Sequence, residues 1–220
     1  MKEIEAKFLD IDVKEIQKKI KLHGGKKIHK LMLYRRYVFD LMDNKNGYIR
    51  ARQENNKTTI TMKTYSKNSK YADENEIEVN STLDEAKDFL IAQGYKLKHY
   101  HETLREKWSL GECHEIAIDY IPGIPTYIEL ECKNEKAIKK IAKLLDLNMD
   151  NAEYDAYWKL YVDYYAIDTN DIISNTIPTL TFKNIDKELK NFIKINRDLV
   201  KTVKNNQLEI IKKNKIILKY

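Results

Sequence analysis

Apolar and polar positions alternate in eight short stretches of the sequence, and this period of two is typical of β-strands. In the first stretch, Ile4, Ala6 and Phe8 alternate with charged residues. The eight stretches, in chain order, are residues 2–9, 33–40, 47–53, 58–64, 75–80, 103–109, 114–120 and 126–132. Because most of them are joined by short connections, the pattern predicts an antiparallel meander or barrel.

Helical spacing interrupts the strands in four places. Residues 13–20, 86–90, 137–145 and 154–165 carry apolar side chains three or four positions apart, as amphipathic helices do. We expect these helices to pack on the outside of the sheet. From about residue 167 the chain becomes rich in Asn, Thr and then Lys. The sequence therefore predicts an α+β domain over residues 1–166 and a Lys-rich, partly helical extension over residues 167–220.

Composition limits the class of protein. Of 220 residues, 42% are hydrophobic and 34% are charged, which is enough for a core but leaves no apolar run long enough to cross a bilayer. The N-terminus lacks the pattern of a signal peptide. We therefore expect a cytoplasmic protein that does not contact membranes. Cys113 and Cys132 are too few for a disulfide framework and are expected to be small buried or half-buried residues.

The net charge of +6 comes from the end of the chain. Residues 182–220 contain 11 Lys and Arg against 4 Asp and Glu, which leaves 29 basic and 30 acidic residues in the rest. A basic balance favours nucleic-acid binding in general. Since only the extension is basic here, we consider nucleic acid as a partner of the extension alone.

The polar faces of the predicted strands are charged, and the charges segregate by sign. Acidic pairs occur at Glu3/Glu5, Glu76/Glu78 and Glu129/Glu131, and basic pairs occur at Arg50/Arg52 and Arg105/Lys107. A charged strand face usually points to water, but neighbouring like charges repel and add no stability there. A closed barrel would turn these faces into a lumen. Carboxylates suit Mg²⁺ and arginines suit phosphate, so the mixture favours a metal-polyphosphate ligand.

Here the sequence resembles a known family. The opening Glu3-Ile4-Glu5-Ala6-Lys7 resembles the ExExK signature of the CYTH family, the triphosphate tunnel metalloenzymes, which include class IV adenylate cyclases, thiamine triphosphatases and inorganic tripolyphosphatases. The resemblance covers about residues 1–165, and the N-terminal half is most similar to the class IV cyclase branch. The motif residues that follow in order are Tyr37 to Asp40, Arg50, Arg52, Thr59 to Lys63, Glu76, Glu78, Arg105, Asp119, Glu129 and Glu131.

The resemblance implies a closed antiparallel eight-stranded β-barrel that binds a triphosphate together with Mg²⁺ or Mn²⁺. The metal ligands that it implies are Glu3, Glu5, Asp119, Glu129 and Glu131. The phosphate-binding residues that it implies are Lys7, Arg50, Arg52, Lys63 and Arg105. Lys7, Glu76 and Glu78 are the candidates for catalytic roles, the two glutamates in binding metal or positioning water. The strand pattern adds Arg36 as a phosphate ligand, with a rim or surface position as the alternative.

The lumen residues do not distinguish the reactions that this chemistry allows. Attack by water would make the protein a triphosphatase acting on tripolyphosphate or on a nucleoside or thiamine triphosphate, which is our first hypothesis. Attack by a ribose 3′-hydroxyl on the α-phosphorus would make it an adenylate cyclase. RNA 5′-triphosphate hydrolysis and a non-catalytic binder of polyphosphate or nucleic acid stay open. A homodimer is compatible with the sequence, and the five histidines, which share no metal-ligand spacing, are expected on the surface or in the core.

Overall fold

Backbone pairing confirms the eight predicted strands, several of which are buried on both faces. The computed structural model describes residues 4–42, 46–66, 69, 71–154, 158–167 and 177–218. The strands are β1 Glu5–Phe8, β2 Lys26–Asp40, β3 Gly47–Glu54, β4 Lys57–Thr64, β5 Asp73–Val79, β6 Leu97–Leu110, β7 Cys113–Tyr120 and β8 Tyr127–Cys132. A ninth strand, β9 Thr179–Leu180, lies in the extension and pairs with β6 in parallel. The sequence did not predict it.

The eight main strands form one curled antiparallel sheet in the order β1-β8-β7-β6-β2-β3-β4-β5. In the described residues β1 and β5 are the two edges and do not pair, so the expected closed barrel is corrected to an open half-barrel. Both edges carry carboxylates on the same face, Glu5 on β1 and Glu74 and Glu76 on β5, and opposed like charges disfavour pairing. A side-chain contact spans the gap instead, since Lys63 Nζ on β4 lies 3.8 Å from Glu5 Oε1.

The helices follow the amphipathic segments of the sequence. Those of the first domain are α1 Val13–Leu22, α2 Leu83–Ala92, α3 Glu135–Leu144 and α4 Trp158–Tyr165, with a 3₁₀ turn at Met149–Asn151. Side-chain caps from Asp12, Thr82 and Asn134 accept backbone N–H groups at the starts of α1, α2 and α3. Residues 155–157, at the start of the predicted fourth helix, lie outside the described residues.

The outer face of the sheet holds two apolar cores. Helices α1 and α3 bury their apolar faces against β6, β7 and β8, for example Ile20 and Ile141 with Leu104 and Ile116. Helix α2 covers β2 and β3 through residues such as Leu90. Because helices occupy the outer face, the charged strand face is left to line the concave side.

The extension forms a third core with one end of the sheet. Its helices are α5 Ile185–Glu188 and α6 Arg197–Lys213. Gln207 on α6 is 3% exposed, and its side chain accepts from Gly123 N and donates to the carbonyls of Ile121 and Ile124. Gly123 has φ +74°, and a Cβ atom there would lie 2.8 Å from Ile185 Cγ1, so glycine is needed for both reasons. The domain boundary at residue 166 stays a prediction.

Cys113 and Cys132 are buried, as predicted. They lie opposite each other on β7 and β8 and are joined as a disulfide, a single bond that the sequence did not indicate. Within the described part of the chain, none of the helices combines the length and apolar composition needed to cross a membrane.

Replacing the buried amide that joins the extension to the sheet should destabilise the fold. Gln207→Ala removes three hydrogen bonds to residues 121–124 and leaves Gly123 N and the Ile124 carbonyl unpaired, whereas the Ile121 carbonyl still accepts from Ile124 N. We expect the free energy of unfolding to fall by about 3 kcal/mol. Urea titration measures it, with Asn206→Ala, an exposed neighbour on α6, as the control that should change it by no more than about 0.5 kcal/mol. Equal effects of the two substitutions would contradict the role of Gln207.

Candidate functional site

The charged residues of the eight strands share one face of the curled sheet. Strand register places them in continuous rows, because directly opposed residues point to the same side. We call this surface the lumen face. Its charged members include Glu5, Lys7, Arg36, Arg50, Arg52, Glu54, Lys63, Glu74, Glu76, Glu78, Arg105, Lys107, Glu115, Asp119, Glu129 and Glu131. Several are deeply buried, Lys7 being 4%, Asp119 3% and Glu129 7% exposed.

Lys7 forms the first ion-pair network. Its Nζ atom lies 2.9 Å from Glu5 Oε1 and 3.3 Å from Glu129 Oε2. Burial opposes the charge on Lys7, but these two carboxylates outweigh it and raise the pKa of Lys7 above its ordinary value. Burial also opposes the charge on Glu129, but Lys7 and Arg105 outweigh it and lower the pKa of Glu129 to about 2. Both groups are therefore charged at neutral pH.

Arg105 forms the second network. It donates to both carboxylate oxygens of Asp119, at 2.7 and 2.6 Å, and to Glu129 Oε1 at 3.1 Å. A further bond goes to Glu115, which the sequence did not single out. Burial alone would disfavour the charge, but Asp119, Glu129 and Glu115 raise the pKa of Arg105. Asp119 and Glu129 are thus brought together through one guanidinium.

The third network joins β3, β4 and β5. Glu76 accepts from Thr61 Oγ1 at 2.6 Å and from Nη2 of both Arg50 and Arg52 at 3.4 Å. Although burial opposes its charge, Arg52, Thr61 and Arg50 lower the pKa of Glu76. Glu74, another residue that sequence reasoning missed, lies 3.7 Å from Arg50 and 3.6 Å from Lys63.

Glu78 does not join these networks. It pairs with Lys57 at 2.9 Å, and the two side chains are 58% and 66% exposed. Its position on β5 is on the same face as Glu76, directly opposite Thr59 on β4. The two glutamates, considered together in the sequence, therefore have different surroundings.

Arg36 is the one arginine of the lumen face that, among the described residues, forms no ion pair, although its charge lies close enough to Asp119 to oppose the rise that burial causes in the pKa of that carboxyl. It donates to Thr103 Oγ1 at 2.6 Å, while its Nε atom is buried without a hydrogen-bond partner. Burial and the nearby charges of Arg50, Arg52 and Arg105 lower the pKa of Arg36 to about 9. The structure places this side chain inside the lumen and not at a rim, where it increases the positive potential.

Two histidines extend the lumen face beyond Thr103. His99 and His101 stack with ring centroids 4.0 Å apart, and His101 is 4% exposed. Burial lowers the pKa of His99 to about 3 and the pKa of His101 well below its ordinary value. The sequence did not single out these histidines, because the strand was predicted to begin only at residue 103. Counting back from Arg105 in steps of two, to positions 103, 101 and 99, would have placed them on the same face.

The carboxylates of β1 and β8 are the residues that could hold a metal. Glu5 lies directly opposite Glu131, and Lys7 directly opposite Glu129, so three oxygen donors share one corner of the lumen. Glu131 also bonds to His114 Nε2 at 2.8 Å. Glu3 lies outside the described residues, and among those described no three His, Cys, Asp or Glu side chains converge as a metal-binding group. The donor chemistry fits Mg²⁺ or Mn²⁺, provided that these carboxylates exchange their present partners.

The fold is a curled antiparallel sheet that carries cations and carboxylates on its concave face. The model of the CYTH domain matches residues 1–152, and the chain therefore belongs to the CYTH domain family. No curated protein sequence matches it significantly.

Three solved structures have a similar fold. The PH1012 protein from Pyrococcus horikoshii OT3 has a TM-score of 0.61 at 22% identity, with 72% of this chain and 98% of that chain covered. An adenylate cyclase candidate from Vibrio parahaemolyticus has a TM-score of 0.59 at 16% identity, with coverage of 73% and 97%. The adenylyl cyclase candidate HpAC1 from Hippeastrum, described with a dominant triphosphatase activity, has a TM-score of 0.51 at 15% identity, with coverage of 74% and 96%.

The buried histidines should make the fold sensitive to acid. Since the pKa of His101 is depressed in the folded state, only the unfolded chain takes up a proton below about pH 6.5, so stability present at pH 7 is lost as the pH falls. Each such histidine costs about 1.4 kcal/mol per pH unit in that window. Urea unfolding at pH 7 and pH 5 should therefore show a smaller acid loss in His101→Gln than in the natural chain. An identical loss in both proteins would refute this.

Proposed function

We propose that the protein is a divalent-metal-dependent enzyme that acts on a triphosphate bound along the lumen face. The observation that carries the proposal is the cluster of Arg36 with Arg50, Arg52 and Arg105, in which half-buried Arg36 forms no ion pair among the described residues and the carboxylate that its charge reaches, Asp119, is already bonded to Arg105. Concentrated, partly unneutralised positive charge of this kind is unfavourable unless an anion completes it. Arginine also matches phosphate oxygens in a bidentate fashion.

The length of the cationic surface supports a chain of phosphates over a single one. Cations on five strands face the lumen, from Lys7 on β1 to Lys63 on β4. The complete proposed set of phosphate ligands is Lys7, Arg36, Arg50, Arg52, Lys63 and Arg105. Phosphoryl transfer needs little covalent help beyond positioning and neutralisation of charge, which such a set provides.

The carboxylates at the other side of the lumen would hold the metal. Glu5, Glu129 and Glu131 are the described candidates, with Glu3 and Asp119 as further proposed ligands. When bound, Mg²⁺ or Mn²⁺ would neutralise phosphate charge and orient the reacting oxygen atoms. On that proposal Lys7 leaves its bonds to Glu5 and Glu129 and contacts phosphate, because its Nζ atom already lies between the two sets of groups.

Hydrolysis is the preferred reaction, with Glu76 as the residue that positions water. Its depressed pKa keeps it ionised at neutral pH, and its side chain is 34% exposed, so solvent reaches it. Glu78, proposed from the sequence for the same task, is held by Lys57 in an exposed ion pair and would act more weakly. Among proteins of this fold, HpAC1 has a dominant triphosphatase activity, which agrees with the preference.

Adenylate cyclase activity is the second candidate, because the structural relative from Vibrio parahaemolyticus is described as an adenylate cyclase candidate. Product analysis separates the two. When ATP is incubated with the protein and Mg²⁺ or Mn²⁺, a triphosphatase gives phosphate, whereas an adenylate cyclase gives cyclic AMP and pyrophosphate. No product from ATP, tripolyphosphate or thiamine triphosphate would refute both and leave a non-catalytic binder.

Arg36→Met should remove activity without weakening the fold. We expect kcat/KM for tripolyphosphate to fall by about 100-fold, as for loss of one charge-stabilising group. The free energy of unfolding should be unchanged or higher, because a cation repelled by three neighbours has been removed. Arg35→Met is the matched control, since Arg35 points to the opposite face of β2 and bonds to Gln53. Equal activity of the two variants would contradict the proposal.

Loss of the metal-binding carboxylates should abolish metal-dependent turnover. Glu129→Gln and Glu5→Gln are each expected to reduce tripolyphosphate hydrolysis by about 1,000-fold. Addition of EDTA to the natural chain should have the same effect, and excess Mg²⁺ should restore only the natural chain. Hydrolysis by the natural chain that continues in EDTA would exclude the metal mechanism. Near-ultraviolet circular dichroism checks that both variants are folded.

A further inference from the structure

Strand β7 contains one residue more than the strands on either side of it, and that residue is His114. From Cys113 to Glu115 the chain of β7 advances by two positions, whereas the facing residues of β8, Cys132 and Glu131, are only one position apart. The register between β7 and β6 shifts at the same place and in the same sense. His114 is therefore the extra residue of a β-bulge, a feature that is common beside active sites because it re-aims side chains.

The bulge reverses the faces that two side chains would otherwise take. Regular alternation back from Glu115 would place Cys113 on the lumen face and His114 in the outer core. Instead, Cys113 is fully buried in the outer core, where it is joined to Cys132. The side chain of His114 is 63% exposed and reaches Glu131 on the lumen face. One inserted residue therefore brings a histidine to the charged side of the sheet.

His114 donates a hydrogen bond to Glu131. The distance from Nε2 to Oε1 is 2.8 Å, and Nε2 is the donor because an ionised carboxylate can only accept. The disulfide fixes the backbone at both ends of this bond, since Cys113 directly precedes His114 and Cys132 directly follows Glu131. The bulge, the cross-link and the hydrogen bond therefore form one rigid unit around the Glu131 side chain.

Glu131 is the middle carboxylate of a row across three strands. It lies directly opposite Glu5 on β1 and Glu115 on β7. The outer two are paired with lysines, because Lys7 Nζ lies 2.9 Å from Glu5 and Lys107 Nζ lies 2.7 Å from Glu115. A metal that bound those carboxylates would repel the lysines. Imidazole can donate its hydrogen bond in the neutral form, so a metal on Glu131 would not displace it.

We propose that His114 is a positioning residue for the metal and acts through Glu131. Its N–H holds Oε1 of Glu131, so the carboxylate is ordered before Mg²⁺ or Mn²⁺ arrives and loses less freedom on binding. His114 itself does not contact the metal on this proposal. The inference rests on the proposed function, in which Glu131 is one of the metal ligands.

The role of His114 was not visible in the sequence. The family resemblance assigned a role to Glu131 but none to His114, which was expected on the surface or in the core with the other histidines. Alternation of residue types cannot reveal an inserted residue, because a bulge appears only when the register with both neighbouring strands is known. The folded sheet alone brings the histidine and the glutamate together.

Binding of Mn²⁺ alone to the full chain tests the proposal without turnover, with the free ion measured by electron paramagnetic resonance. We expect His114→Ala to raise the Kd about tenfold and His114→Gln to keep it within about threefold, because a side-chain amide can donate the same bond. His23→Ala is the matched control and should leave the Kd unchanged, since His23 is exposed at the end of α1 on the outer face. An unchanged Kd in folded His114→Ala, or an equal loss in His114→Gln, would overturn the positioning role. No Mn²⁺ binding by the natural chain would instead overturn the metal dependence of the proposed function.

The effect should also depend on Glu131. In a Glu131→Gln background, His114→Ala should change the Kd for Mn²⁺ by less than about twofold, because the bond that it removes no longer holds a metal ligand. The full loss in that background would contradict the proposal. So would an imidazole-nitrogen coupling in the electron spin-echo spectrum of bound Mn²⁺ that disappears in His114→Gln, since it would make His114 a direct ligand. Should His114→Ala unfold, His114→Phe repeats the test, because it keeps a ring and lacks the donor.

Discussion

The structure depends on the burial of opposite charges on one face of one sheet. A single buried ion would be costly, but Lys7 lies between Glu5 and Glu129, and Arg105 holds Asp119 and Glu129 together. A face of this kind cannot pack against an apolar helix, so the helices cover the other face and the sheet curls toward its own charges. The curvature of the fold and the charged site therefore have the same cause.

Period-two alternation was sufficient to predict all eight main strands and most of the lumen residues, because it reports directly which side chains share a face. It did not identify the start of β6, since residues 97–102 do not alternate between apolar and polar types. Glu102 is buried there because the distant β9 and Phe182 cover it, a contact that only the folded chain creates. His101 was not predicted as a lumen residue for the same reason, since it lies in this part of β6. Whether β1 and β5 pair also depends on contacts between distant residues, and so the expected closure was wrong.

The basic charge of the extension proved to be separate from its role in the fold. Helix α6 buries Val200, Gln207 and Ile211 against the rest of the protein and exposes lysines such as Lys201 and Lys212. Amphipathic spacing predicted a helix here, but it could not state which surface the apolar face would meet. The high isoelectric point is thus a property of the outer surface of the extension, while the lumen balances its own cations and carboxylates.

That balance constrains how the proposed ligands would enter. Most lumen cations are already paired, Lys7 and Arg105 among them, so a polyanion that reached the lumen alone would compete with carboxylates for the same donors. A divalent cation that reached it alone would compete with Lys7 for Glu5 and Glu129. If the two arrived together, Glu5 and Glu129 could hold the metal while Lys7 and Arg105 turned to the phosphates, so that every buried charge would stay paired. On the proposed function, metal and triphosphate therefore bind as one exchange of ion pairs, in which Arg36, which forms no ion pair among the described residues, has no ion-pair partner to release.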